Sequence, residues 1–151
     1  MRKLLIIFSI SLLASGGIFA QSDGVTGYWL TQDGDSQVEI YKIPGNKFSG
    51  KIVWLKEPLE ADGKVKHDKN NPDKSLRTRT TLGLELLNDF TYDNSEKEWV
   101  DGTIYDPKSG KTYSCYMWLD GNNTLKLKGF VMGMRFLGRE ATWTREKELR
   151  K

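Results

Sequence analysis

The residues with the greatest chemical potential are concentrated in one segment, His67 to Arg79 (HDKNNPDKSLRTR). Arg77 and Arg79 are two apart. In an extended chain they point the same way, a geometry that suits bidentate capture of a carboxylate or phosphate. The competing reading is a surface pair bonded to the loop's own aspartates. Asp68, Asn70 and Asp73 offer hard oxygen ligands, but Pro72 and Asp73 break the D-x-[DN]-x-[DN]-G spacing of a calcium loop, so no metal is expected. Asn71-Pro72 also reads as a turn initiator, with Asp68 and Asp73 capping backbone amides. Long polar loops of this kind commonly carry function, and Asn70, Asn71 and Asp73 join Arg77 and Arg79 as candidate ligand contacts.

Catalytic chemistry finds little support. His67 is the sole histidine, and Asp68 follows it directly, so the two side chains diverge. There is no G-x-S-x-G or Cys–His arrangement to activate a nucleophile. Zinc lacks ligands, and no spacing selects a carboxylate pair for glycoside hydrolysis. The expectation is a protein that binds without reacting and needs no cofactor.

The elements that position these groups read almost entirely as strands. Gly27–Thr31, Gln37–Ile43, Lys47–Leu55, Trp99–Asp106, Lys111–Leu119, Thr124–Val131 and Phe136–Arg145 are bounded by turns such as Pro44-Gly45-Asn46 and Asp120-Gly121-Asn122-Asn123. Thr81–Phe90 reads as a weak strand, preceded by a helical turn. Residues 56–81 show neither a period of 2 nor one of 3.6. About eight sequential antiparallel strands without long crossovers favour an all-β, up-and-down barrel, because closure removes both sheet edges; a sandwich is the alternative. Alternation predicts an inward stripe of Val38, Ile40, Phe48, Ile52, Trp54, Met117, Leu125 and Leu127. Trp54 and Tyr113 are further candidate pocket residues. Arg139 shares the parity of Ala141 and Trp143, so it faces the core unless a bulge at Gly138 turns it to solvent. An inward Arg139 would need an acidic partner, which a ligand head group could supply.

The first twenty residues read as a cleavable signal: Arg2 and Lys3, an uncharged run of about ten residues from Leu4 to Leu13, and Ile18-Phe19-Ala20 before the cut. The run falls short of the roughly 20 residues a membrane span needs, and no Cys near the cut would carry a lipid. Gln21–Lys151 is then one exported domain, periplasmic or secreted, with no stable membrane anchor. Losing Arg2 and Lys3 lowers the formal charge from +3 to +1, which gives no footprint for nucleic acid. The lone Cys115 excludes an internal disulfide and, on the apolar side of its strand, reads as a buried small hydrophobe.

Two end motifs resemble those of the lipocalin-like (calycin) barrels: Gly27-Tyr28-Trp29 at the first strand and Thr142-Trp143-Thr144-Arg145 at the last. The resemblance implies that Trp29 plugs the closed end and Arg145 packs over it, a cation–π contact of about 0.5–2 kcal/mol, with Trp143 structural beside them. More narrowly, the chain resembles an uncharacterised family of small secreted bacterial proteins with such a barrel. Gly50–Leu55, Asp68–Asp73 with Leu76–Arg79, Ile104–Tyr113 and Leu137–Arg145 carry that likeness. Thr81 departs from it, where the family more often has Pro. The resemblance implies fold and export but no activity. Two functions follow as expectations: a carrier for a small apolar or amphipathic molecule, or a filled barrel that docks a protein partner through loop 67–79.

Overall fold

The computed structural model describes residues 21–151, so the expected signal Met1–Ala20 lies outside the described residues. The described residues form eight strands: β1 (Gly27–Leu30), β2 (Ser36–Ile43), β3 (Lys47–Leu55), β4 (Glu85–Asp93), β5 (Glu98–Asp106), β6 (Lys111–Leu119), β7 (Thr124–Phe130) and β8 (Arg139–Glu146). Each pairs antiparallel with the next, and β1 pairs with β8, giving a closed barrel. Closure pairs every strand on both sides and leaves no sheet edge among the described residues to template aggregation. In the β2–β3 hairpin, Gly45 (φ 83°) and Asn46 (φ 55°) both take left-handed conformations, which match the twist of the flanking strands.

Up-and-down connectivity sorts the connections to two ends. The β2–β3, β4–β5 and β6–β7 turns share one end with the N-terminal 3-10 turn Asp23–Val25. That end is sealed. Trp29 is fully buried and donates its indole N–H to Val25 O at 2.8 Å. The Arg145 guanidinium lies 4.1 Å from the Trp29 ring. It donates to Asn122 O, Thr26 O and Gly24 O at 2.7, 2.8 and 2.5 Å, tying β8 to the chain before β1. Burial pushes the Arg145 pKa down, but an arginine starts so high that it keeps its charge.

The interior is packed with side chains. Val38, Ile40, Phe48, Ile52, Met117, Leu125 and Leu127 are buried as alternation predicts, and Trp143 and the free Cys115 are buried with them. Each large apolar side chain contributes about 1.5–3 kcal/mol by leaving water. At Gly102 a Cβ would sit 2.5 Å from the Phe90 ring, so the ring lies directly on bare β5 backbone. The register shift between Trp99 and Gly102, with Asp101 at φ 61°, makes this approach possible.

Three expectations need correction. Trp54 does not face inward with Phe48 and Ile52. β3 carries one extra residue: Val38 pairs with Ile52, but Gln37 pairs with Trp54. This bulge reverses the parity, and Trp54 lies outside against the C-terminal tail, donating to Lys151 O at 3.2 Å beneath Arg150. The strand expected from Thr81 begins instead at Glu85, because Leu82-Gly83 forms a turn with Gly83 at φ 88° rather than a helical turn. The last strand begins at Arg139, after a 3-10 turn at Arg135–Leu137. Gly138 approaches β7 so closely that a Cβ there would lie 2.6 Å from Gly129 O.

Candidate functional site

The β1–β2, β3–β4, β5–β6 and β7–β8 connections gather at the other end, and the longest of them, residues 56–84, is organised by one buried charge. Asp68 is fully buried. Its Oδ1 accepts from the Tyr105 hydroxyl at 2.5 Å. Its Oδ2 accepts from Asn71 Nδ2 at 2.8 Å and from Arg79 Nε and Nη2 at 2.9 and 2.8 Å. A buried carboxylate is tolerated only when paired and hydrogen-bonded in this way. Burial, and then the hydrogen bond to Asp68, push the Tyr105 hydroxyl up to about 12, which keeps it a proton donor.

The rest of the segment follows from that anchor. Asn70 donates to Pro107 O and Lys108 O, fastening the loop to the β5–β6 turn. There Gly110 (φ 70°) has no room for a side chain, since a Cβ would lie 1.9 Å from Asn70 O. Arg77 donates to Asn71 O at 2.7 Å. Asp73 accepts from the Ser75 amide at 2.9 Å, a local cap on the 3-10 turn Lys74–Leu76.

Arg77 and Arg79 are therefore both engaged inside the loop, Arg79 on the loop's own aspartate. Asn71 and Asp73 are likewise spent on the loop's own backbone and side chains. Arg139 pairs with Gly129 in unbroken register with Ala141 and Leu127, so Gly138 does not reverse its parity. It stands on the interior register at the rim, is exposed, and has no side-chain hydrogen bond or ion pair among the described residues. Tyr113 sits half-buried on the same inner face, next to the space left open by Gly129.

A cleft of about 630 Å³ opens between loop 56–70 and the β1–β2 and β5–β6 turns. Ile52, Leu55 and Pro107 supply apolar surface, and Lys56, Glu57, Glu60, Lys66, His67 and Lys69 a polar rim of both signs. Lys69 pairs with Glu60 at 3.1 Å and Lys66 with Glu57 at 4.0 Å. Among the sequence-derived candidates, Asn70 is the one that lines this cleft. Sequence reasoning missed Leu55 and Lys56, because the extra residue in β3 that returns Leu55 to the inner face carries no Gly or Pro to mark it.

Lys108 spans the cleft. Its ammonium lies 2.8 Å from Asp35 Oδ2 and 3.9 Å from Asp33 Oδ2, on the turn across the mouth. Hydrogen bonding to Asp35 raises the Lys108 pKa. Burial pushes the Asp35 carboxyl up, but hydrogen bonds from Lys108, Thr31 and Ser36 outweigh it, and the group ends below its ordinary value.

No group of three or more His, Cys, Asp or Glu suited to a metal occurs among the described residues. No helix among them is long and apolar enough to cross a membrane.

The architecture is similar to that of a solved structure, protein HP1028 from Helicobacter pylori, described as belonging to the lipocalin family. The identity is 27%, with 82% of this chain and 83% of that one covered at a TM-score of 0.68. No curated protein matches the chain. A family model spans residues 27–145, from the Gly that opens β1 to the Arg145 that covers Trp29, and by that match the chain belongs to DUF2147, a family described as uncharacterized proteins conserved in bacteria.

Proposed function

We propose that this is an exported carrier that holds a small amphipathic molecule at the open end of its barrel and performs no chemistry on it. The observation that carries this reading is the cleft of about 630 Å³, with Ile52 and Leu55 as its apolar floor and a charged rim above. Small-molecule sites are commonly clefts of this size. Here a small apolar floor is ringed by polar and charged side chains, which suits an amphipathic rather than a wholly apolar ligand. The likeness to a lipocalin-family protein supports the same class of function, and that support is by analogy of fold.

The packed interior supports a ligand position at the mouth. Phe48, Phe90, Trp99 and Met117 fill the barrel below the mouth, so the apolar part rests on Ile52 and Leu55 rather than threading to Trp29. The rim carries lysines and carboxylates together. A head group that both donates and accepts hydrogen bonds suits it better than a bare anion. Asn70, Ser36 and Thr81 line the cleft with uncharged polar side chains, and Arg139 and Tyr113 lie outside its lining.

The same packing favours a second reading, in which nothing enters and the exposed outer edge of loop 67–79 docks a protein partner in the envelope or outside the cell. A blocking substitution separates the two. Lys56→Trp places a bulky ring at an exposed position on the cleft wall. Under the carrier reading, protein isolated from the envelope loses its co-purifying small molecule while its melting point holds. Retention of the same molecule by this variant would contradict the cleft as the site.

A further inference from the structure

The β7–β8 connection is built to present apolar side chains to the outside. Met132 is 90% exposed, Phe136 77%, Leu137 69% and Val131 51%. Four exposed large apolar side chains within seven residues exceed the singly scattered ones of an ordinary surface, and such clusters mark interaction sites. The segment has a defined form: Met132 (φ 54°) and Gly133 (φ 70°) reverse the chain, Met134 N–H donates to Val131 O, and Leu137 N–H donates to Met134 O. Arg135 pins it to the barrel wall. Its guanidinium lies 3.6 Å from the Tyr116 ring and donates to Glu98 Oε2 at 2.8 Å. With Arg135 held there, the apolar side chains around it stay outside the core.

The surroundings identify the occupant. Residues 121–139 contain Lys126, Lys128, Arg135 and Arg139 and no carboxylate. Glu140 and Glu98 answer Lys126 and Arg135; Lys128 and Arg139 have no acidic partner among the described residues. Arg135 covers Tyr116, which stacks with Trp118 at 5.5 Å between ring centroids and packs tilted against Phe130. An apolar tip, a girdle of Trp and Tyr, and unmatched cations are the three features that hold a segment in the boundary layer of an anionic bilayer.

We infer that loop 131–137 is a reversible membrane-docking element, which inserts Met132, Phe136 and Leu137 between the headgroups of an anionic phospholipid leaflet while Lys128 and Arg139 meet the phosphates. It involves no spanning segment and does not depend on the cleft having a ligand.

Co-sedimentation of the purified protein with vesicles tests this. The protein is expected to bind vesicles of phosphatidylglycerol mixed with phosphatidylcholine, more weakly those of phosphatidylcholine alone, and to be partly released by salt. The triple variant Met132→Ser, Phe136→Ser, Leu137→Ser should lose binding by roughly tenfold or more with an unchanged melting point, since these side chains are exposed. Lys128→Glu should weaken the preference for phosphatidylglycerol. Leu59→Ser with Val65→Ser, two exposed apolar residues elsewhere, should bind like the parent. Absence of vesicle binding by the parent overturns the inference, as does equal loss in the Leu59/Val65 variant. Self-association that disappears in the triple variant, without vesicle binding, would assign the patch to a second copy instead.

Discussion

Lys108 and Asp35 sit on turns that face each other across the barrel mouth, and their 2.8 Å contact joins the β5–β6 and β1–β2 turns over the cleft. In an eight-stranded barrel these two turns are half a circuit apart. The contact is nevertheless weak: Lys108's side chain is 72% exposed and Asp35's 39%, so the pair contributes about 1 kcal/mol or less. A weak strap over a site is suited to opening and closing.

Lys108→Ala should thus leave the melting point almost unchanged while raising amide hydrogen exchange in residues 31–36 and 106–110. Under the carrier reading it also accelerates ligand release. A large fall in stability would show that Lys108 braces the fold instead.

Acid should open the same strap. Asp35's folded pKa is depressed, so its contribution is present above the ordinary carboxylate value of about 3.9 and disappears as pH falls through the folded value below it. Lys108's pKa is raised, so its contribution holds below the ordinary lysine value of about 10.4 and fades as pH climbs through the higher folded value. The protection factors of the two turns, with the intrinsic pH dependence of amide exchange divided out, should be flat between these limits and fall below about pH 4. A fall in protection centred near neutral pH would contradict the assignment to this pair.

Asp68→Ala should be severe. It leaves Arg79 and Tyr105 at a buried position without their acceptor, a change worth about 2–4 kcal/mol once the partial exposure of Arg79 is allowed for. Limited proteolysis should then cut within residues 67–79. Tyr105→Phe removes one hydrogen bond and should cost about 1–2 kcal/mol. Indifference of the melting point to Asp68→Ala would remove its role as the loop's anchor.

At the sealed end, Trp29→Ala should cost about 3–5 kcal/mol, because a fully buried ring leaves a cavity against Arg145. Arg145→Lys keeps the charge but loses the planar fork that reaches three carbonyls, at about 1–2 kcal/mol. Chemical denaturation of both variants checks this order; an unchanged midpoint for Arg145→Lys would mean that charge alone matters there.

Cys115 supplies a probe of the whole barrel. Burial pushes its thiol up to about 12, so almost no thiolate exists at neutral or mildly alkaline pH. Thiol reagents at pH 8 should label it only as fast as the barrel unfolds. Rapid labelling of native protein would show that the barrel opens locally around β6.

The legible features were those that depend on alternation and on end motifs. Leu125, Leu127, Cys115 and Met117 fall inward because their strands run without interruption, and Arg145 packs over Trp29 where the resemblance placed it. Trp54 was misplaced because one extra residue in β3 reverses the pattern, and bulges leave no compositional mark when no glycine is used. Asp68 read as a ligand or a cap, since only the fold brings Tyr105, 37 residues distant, onto its carboxylate. Lys108 was silent for the same reason: Asp35 is 73 residues away in sequence and meets it only when the barrel closes.

The carrier account stands most directly on native mass spectrometry of the protein released gently from its own envelope fraction, followed by organic extraction of whatever travels with it. It predicts one reproducible small amphipathic molecule at near one-to-one, lost on denaturation and absent from the Lys56→Trp variant. A clean mass for the protein alone, across mild conditions and repeated preparations, would contradict it and shift the function to the protein-docking face of loop 67–79.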